Sequence, residues 1–278
     1  MPMGTLVQFM LPRWAVKPIA MFAGLLAWRF NHKQRMRLEQ NLRHIMGGST
    51  PDDAIRASCR RTFQNLVMNY LDLLRGPVLR RRLPSLCEFD PALLDSVMSQ
   101  GRGLMLITGH IGNWDLAGAF LAALGYPISA VVEPIPRGWS RTFNRYRSVT
   151  SLETIPIPDR RAIARALQSK RLLALVSDRD LTGHGLPLPA FDATRSFPKG
   201  PAAYALRFGT PVVMGYLLFQ DKPGHPPYYA CVEPPLQFEP GGDTKADVER
   251  LTAILAESLN RVIARHPEQW FVFNAGWQ

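Results

Sequence analysis

The chain lacks most of the features that would fix a chemistry at first reading. Its 278 residues include three cysteines, Cys59, Cys87 and Cys231. They are far apart and odd in number, so they form neither a disulfide framework nor a metal-ligand spacing. A reducing compartment is the simplest reading. No G-x-S-x-G stands at a strand-to-helix turn, which argues against a serine hydrolase built on a nucleophile elbow. No G-x-G-x-x-G follows a strand and no P-loop is present, so dinucleotide and nucleotide binding lose their usual signatures. His110, His184, His225 and His266 are scattered rather than set at zinc-ligand spacing.

Acidic residues are also scarce, 22 against 33 Lys and Arg, for a net charge of +11. The imbalance is concentrated at the front: residues 1–89 hold fourteen basic and five acidic side chains. Such an excess calls for an acidic partner, either nucleic acid or an anionic membrane surface. A nucleic-acid reader needs a recognisable motif or aromatics interleaved with the basic residues. Neither is present, so no nucleic-acid partner is expected and an anionic membrane surface is.

A long apolar run is missing as well. The longest uncharged stretch after Pro18 is IAMFAGLLAW, ten residues, whereas a bilayer core takes about 20. The order of charges does not suit a secretory signal either. What remains is a helix lying in the membrane interface, interrupted at Pro12 and Pro18. Trp14 and Trp28 would seek the interface, and Arg13, Lys17 and Arg29 would face headgroups.

The spacing predicts a basic helix over 31–47, closed by Gly47-Gly48. A second helix is opened by Ser49 or Thr50, Pro51 and Asp52-Asp53 and runs to about Leu74. Arg80-Arg81-Arg82 is a short basic run. After about residue 86 the grammar changes. Apolar runs at 103–108, 127–134, 153–157, 172–178, 211–219 and 228–238 read as strands, the last broken by Pro234-Pro235. Helical patterns lie between them, one capped by Asp159, one ending at Gly209 and a last one over about 245–265. Strands that are apolar throughout, alternating with helices, predict an α/β fold with a mostly parallel central sheet flanked by helices. Residues 1–85 are expected to form a basic, mostly helical, membrane-facing extension and 86–278 the α/β core, one structural domain overall.

In open α/β sheets ligands sit beyond the carboxyl ends of strands. His110, Glu133 and Asp178 fall at three such ends. Within LMLITGHIGNWDLAGA, His110 and Asp115 are five apart, too far round an ideal helix to share a face. They can meet only if His110 lies in the turn and Asp115 in the first helical turn. Asp115 would then accept a proton from one imidazole nitrogen and leave the other as a base. The plainer alternative is an acid complementing a helix N-terminus. With no nucleophile, metal or phosphate-loop signature, a base acting on a substrate hydroxyl that attacks an activated acyl group is the chemistry left.

GHIGNWD resembles the H-x4-D/E motif of membrane-associated acyltransferases. Together with Glu133, RYR (145–147), DRD (178–180) and TRSFPKGPAAYALRFGTPVV (194–213), nearly the whole chain resembles the bacterial lipid A biosynthesis acyltransferase family. SDRDLTG brings it nearest to the phosphatidylinositol mannoside acyltransferase branch. The chain departs from the lipid A enzymes in having no full membrane-spanning segment at its start.

The resemblance implies His110 as the general base and Asp115 as its orienting carboxylate. It places Glu133 near the acceptor, and gives Arg145 or Arg147 a role with phosphate or the thioester. It makes Asp178 a site residue, with Arg179 and Asp180 as ion-paired support. Arg195, Lys199 and Gly200 precede a helix N-terminus, a natural place for an anion or an oxyanion. Met105, Trp114, Phe120 and Leu121 are candidate lining for an acyl groove. The implied activity is O-acyl transfer from acyl-CoA or acyl carrier protein to a glycolipid hydroxyl, with no cofactor and no metal, at the cytoplasmic face of the bacterial inner membrane by peripheral attachment. Alternatives are a glycerophospholipid or aminolipid acceptor, or a catalytically silent lipid-binding scaffold.

Overall fold

The computed structural model describes residues 13–79, 82–133 and 152–278. Arg145 and Arg147 lie outside them, as do Pro12, Arg80 and Arg81. The chain opens with three helices, α1 (Arg13–Phe30), α2 (His32–Met46) and α3 (Asp52–Leu79). Helix α1 continues through Pro18, where a break was expected. Position 18 lies early in the helix, so the missing N–H and the ring disturb only its first turns. Close approach of α1 to α3 requires Gly24, because a Cβ there would lie 2.4 Å from the Gln64 Cα. Among the described residues no helix is long and apolar enough to cross a membrane.

The rest follows the expected alternation. A short helix α4 (Leu83–Leu86) leads into β1 (Cys87–Glu88), α5 (Ala92–Ser99), β2 (Leu104–Thr108), α6 (Trp114–Ala123) and β3 (Ile128–Val132). Then come β4 (Glu153–Pro156), α7 (Arg160–Gln168), β5 (Leu172–Val176), and the strands β6 (Leu186–Ala190) and β7 (Ala193–Phe197). The chain finishes with α8 (Gly200–Phe208), β8 (Val212–Phe219), β9 (Tyr228–Val232) and α9 (Thr244–Arg265). Asn113, Asp159 and Asp243 accept N–H bonds at the starts of α6, α7 and α9, each cap stabilising its helix by about 1 kcal/mol. Gly209 closes α8 in a left-handed conformation, φ 58°.

The main sheet has the order β1-β9-β8-β2-β5-β3-β4 and is parallel except where β8 meets β9. Alternation along β2 divides the core. Leu104 and Leu106 face a cluster built with α4, α5 and α6, while Met105 and Ile107 face one built with α7, α8 and α9. Both sheet faces are covered, which is why the strands read as continuous apolar runs. The β6–β7 hairpin was not anticipated, because Pro187 and Pro189 disguise an edge pairing.

The N-terminal helices are joined to the sheet by buried amides. Asn69 donates to Gly112 O at 2.9 Å, Asn65 to Glu268 O at 3.1 Å, and Asn41 to Val272 O at 2.6 Å. All three free thiols are unpaired, and burial pushes those of Cys59 and Cys87 up to about 12.

Candidate active site

Strand register builds the site. β2 and β5 are parallel neighbours with Thr108 opposite Val176. Two residues further on, each chain has left its strand, at His110 and Asp178. The Ser177 N–H still bonds Thr108 O at 2.8 Å, so the two segments stay together past the strand ends. The Asp178 carboxylate accepts from the His110 backbone N–H through Oδ2 and pairs with the imidazole Nδ1 through Oδ1, both at 2.8 Å. Trp270 Nε1 adds a third bond to Oδ2 at 2.8 Å.

The partner holding Nδ1 is therefore Asp178 rather than the expected Asp115. The turn does fall between His110 and Asp115, as predicted, with Asn113 as the cap and Asp115 in the first turn of α6. Gly112 makes that turn with φ 58°, and a Cβ there would lie 2.0 Å from Leu217 O. The His110 ring packs edge-on against Trp114, centroids 5.3 Å apart.

Asp178 is fully buried, and burial opposes its ionisation. The charge and hydrogen bond of His110 and the Trp270 N–H outweigh that effect and hold its carboxyl at about 2. Burial likewise opposes protonation of His110, but the Asp178 charge and hydrogen bond dominate and raise its pKa above 6.5. Nε2, the other imidazole nitrogen, lies 4.0 Å from Glu133 Oε1. Glu133, at the end of β3, also pairs with Arg179 Nη1 at 3.2 Å.

The remaining expected residues divide. Arg179 lines the cavity at His110 and binds Glu133, not Asp180. Asp180 instead organises its own loop, accepting N–H bonds from Thr182, Gly183 and Gly185 and the Ser196 hydroxyl. Arg195 is buried behind the pair rather than set at the N-terminus of α8. It donates to Asp178 O at 2.6 Å and Ala275 O at 3.0 Å, and lies over the Trp270 ring at 4.8 Å. Lys199 and Gly200 are exposed at the start of α8 and do not line the cavity.

From His110 a cavity of about 360 Å³ extends across the sheet beneath α6. Trp114, Phe120 and Leu121 line it as expected, whereas Met105 faces the other side of the sheet. Small residues on neighbouring strands leave the space open: Ala130 pairs with Ala174 in register, and Gly215 and Ala230 lie further along. Tyr70, reaching in from α3, and Asp115 stand at the same wall. Burial, then the Asp115 charge, raises the Tyr70 pKa.

Tyr70 and Trp270 were missed. Tyr70 sits in a helix that reads as membrane-facing, and Trp270 is one of several aromatics in WFVFNAGW. The only available signal was that a buried indole N–H needs an acceptor. Among the described residues no group of three or more His, Cys, Asp or Glu is placed to hold a metal ion.

The site thus sets an imidazole, held by a buried carboxylate, at the mouth of an apolar channel. The sequence comparison supplies the class. The family model for bacterial lipid A biosynthesis acyltransferase matches residues 3–278, so the chain belongs to that family and is an O-acyltransferase. Among curated relatives it is similar to the phosphatidylinositol mannoside acyltransferase of Mycolicibacterium smegmatis, 29% identical over 252 residues, covering 87% of this chain and 79% of that one. It is also similar to the protein of the same name from Mycobacterium tuberculosis, 27% identical over 257 residues, covering 87% and 76%.

Proposed function

We propose that the protein moves a fatty acyl group from a thioester, acyl-CoA or acyl carrier protein, to a hydroxyl of a membrane glycolipid, with His110 as general base. The observation that carries this reading is the His110–Asp178 pair at the mouth of the apolar cavity. Asp178 fixes the tautomer with the proton on Nδ1, which leaves Nε2 to accept a proton. The acceptor hydroxyl gives its proton to Nε2 as its oxygen attacks the thioester carbonyl. The tetrahedral intermediate collapses by breaking the carbon–sulfur bond. The imidazolium returns the proton to the departing thiolate, and an ester and a free thiol result.

The channel takes the acyl chain. Glu133 and Arg179 stand beside Nε2, where they position the acceptor; Asp115 and Tyr70 form the facing wall. Arg145 or Arg147 is assigned to the phosphate or thioester on the family resemblance alone. The names of the relatives favour a glycolipid acceptor.

The membrane attachment rests on α1. Ile19, Phe22, Leu26 and Phe30 are exposed at helical spacing, with Phe22 at 64% and Phe30 at 76%. Such a face beside Arg29 suits peripheral binding to anionic lipid. The cytoplasmic face of the inner membrane is the matching location, since that is where both thioester donors are made.

The test is to incubate purified protein with labelled palmitoyl-CoA, or the acyl carrier protein thioester, and a bacterial lipid extract. Wild type should label a glycolipid identified by mass, and His110→Ala should not. A labelled glycerophospholipid would replace the acceptor. Absence of transfer from both donors would remove the reading.

A further inference from the structure

A second cavity, of about 500 Å³, lies between α1, α3 and the segment joining β8 to β9. It shares no lining residue with the cavity at His110. Arg75 lines it from α3. That side chain is only 7% exposed, and its Nε is buried with no hydrogen-bond partner among the described residues. Asp72 accepts from Asn113 Nδ2 at 3.0 Å and from the Tyr228 hydroxyl.

A guanidinium stays charged at any physiological pH and presents a planar fork that fits carboxylate or phosphate. Burying that charge without a direct hydrogen-bonded counter-charge costs free energy, which an anion held in the cavity would offset. Its outer part repeats the sign. Arg61 and Lys222 line the cavity, and Arg61 donates to the Met21 sulfur at 3.9 Å. Lys17, on α1, is held by Asp221 at 2.6 Å, which ties the helix to the β8–β9 segment at the cavity. Carboxylates are present too, at Asp72, Asp221 and Glu268. Two of them are engaged, Asp72 by its hydrogen bonds and Asp221 by Lys17. The inner guanidinium keeps its Nε without a hydrogen-bond partner among the described residues.

We propose that this second cavity binds a phosphate group, gripped by Arg75 with Arg61 and Lys222 at its rim. The same helix that exposes Phe22 and Leu26 supplies Lys17 and Met21 to the wall. A lipid headgroup phosphate could therefore reach the cavity from a membrane, and a free phosphate could reach it from solution.

The full-length protein tests this with two probes, inorganic phosphate and phosphatidylcholine vesicles with or without phosphatidic acid. Binding is followed by titration calorimetry, and thermal unfolding is recorded with and without phosphate. In the wild type phosphate should bind saturably and raise the Tm. Arg75→Gln should weaken binding by at least about tenfold, the scale of a lost charge-assisted contact. It should keep or raise the Tm in phosphate-free buffer, because a buried charge has gone. Lys222→Gln, at an exposed position, should weaken binding about threefold at unchanged Tm. If phosphatidic acid vesicles displace inorganic phosphate in the wild type but not in Arg75→Gln, the source is the headgroup. If they do not displace it, the source is free phosphate. The proposal is overturned if neither probe binds the wild type, or if Arg75→Gln binds like the wild type. It is also overturned if Arg75→Gln lowers the Tm without phosphate while Lys222→Gln binds normally, since Arg75 would then be a structural counter-charge to Asp72.

Discussion

Asp178 holds His110 twice, through the backbone N–H and through the imidazole Nδ1, each at 2.8 Å. The double hold fixes both the position of the ring and its tautomer. Asp115, nearer in sequence, stands instead on the cavity wall with Tyr70.

This division separates the two carboxylates experimentally. Asp115→Asn should lower kcat and leave the acidic limb of the pH–rate profile where it is, because the charge paired with Nδ1 is untouched. A shift of that limb as large as the one produced by Asp178→Asn would return Asp115 to the orienting role.

The channel predicts acyl-chain selection. A Cβ at Gly215 would come within 2.8 Å of the Leu106 side chain, and both residues line the cavity. Gly215→Val should therefore favour shorter acyl donors, read as a change in kcat/KM across a series of thioesters. An unchanged chain-length profile would place the acyl chain elsewhere.

Arg195 acts behind the site. Removing it strands the buried Asp178 O and the partly buried Ala275 O, the buried one costing about 1–3 kcal/mol when left without a donor. Arg195→Met should thus lose about 1–3 kcal/mol in denaturant unfolding and loosen the segment that carries Asp178. Lysine should rescue only part of this, since it lacks the planar fork. A Met variant as stable as wild type would contradict the buttressing role.

The outer face of α1 gives a binding prediction. Phe22→Ser with Phe30→Ser should reduce sedimentation with anionic vesicles while leaving the far-ultraviolet spectrum intact, because both side chains are already exposed. Unaltered sedimentation would mean that another surface meets the lipid.

Much of the fold was legible because apolar strands and capped helices carry local signals: Asp159 and Gly209 mark helix ends in the sequence and do so in the structure. The three strand-end groups were legible for the same reason. The pairing among them was not. Which strand lies beside β2 is a tertiary fact, and β5 is its neighbour although β3 and β4 intervene in the chain. Proximity in sequence therefore favoured Asp115. Arg195 was misplaced for a related reason, since its position five residues before α8 says nothing of the three aromatic rings that enclose it.

The most direct measurement is the pH–rate profile of acyl transfer for the wild type and Asp178→Asn. In the wild type Asp178 raises the His110 pKa above 6.5 against the effect of burial, so the rate climbs as pH approaches that raised value and reaches its plateau only above it. The same pairing stabilises the fold fully between 3.8 and 6.5, and less as pH rises through the raised His110 value or falls toward about 2, where Asp178 protonates. Asparagine removes the charge and leaves burial, which moves the limb to lower pH. It also permits the wrong tautomer, and the account predicts a fall in kcat of about 10³–10⁴-fold, the scale for a histidine base that loses its orienting carboxylate. An Asp178→Asn enzyme with near wild-type kcat and an unmoved limb would contradict it.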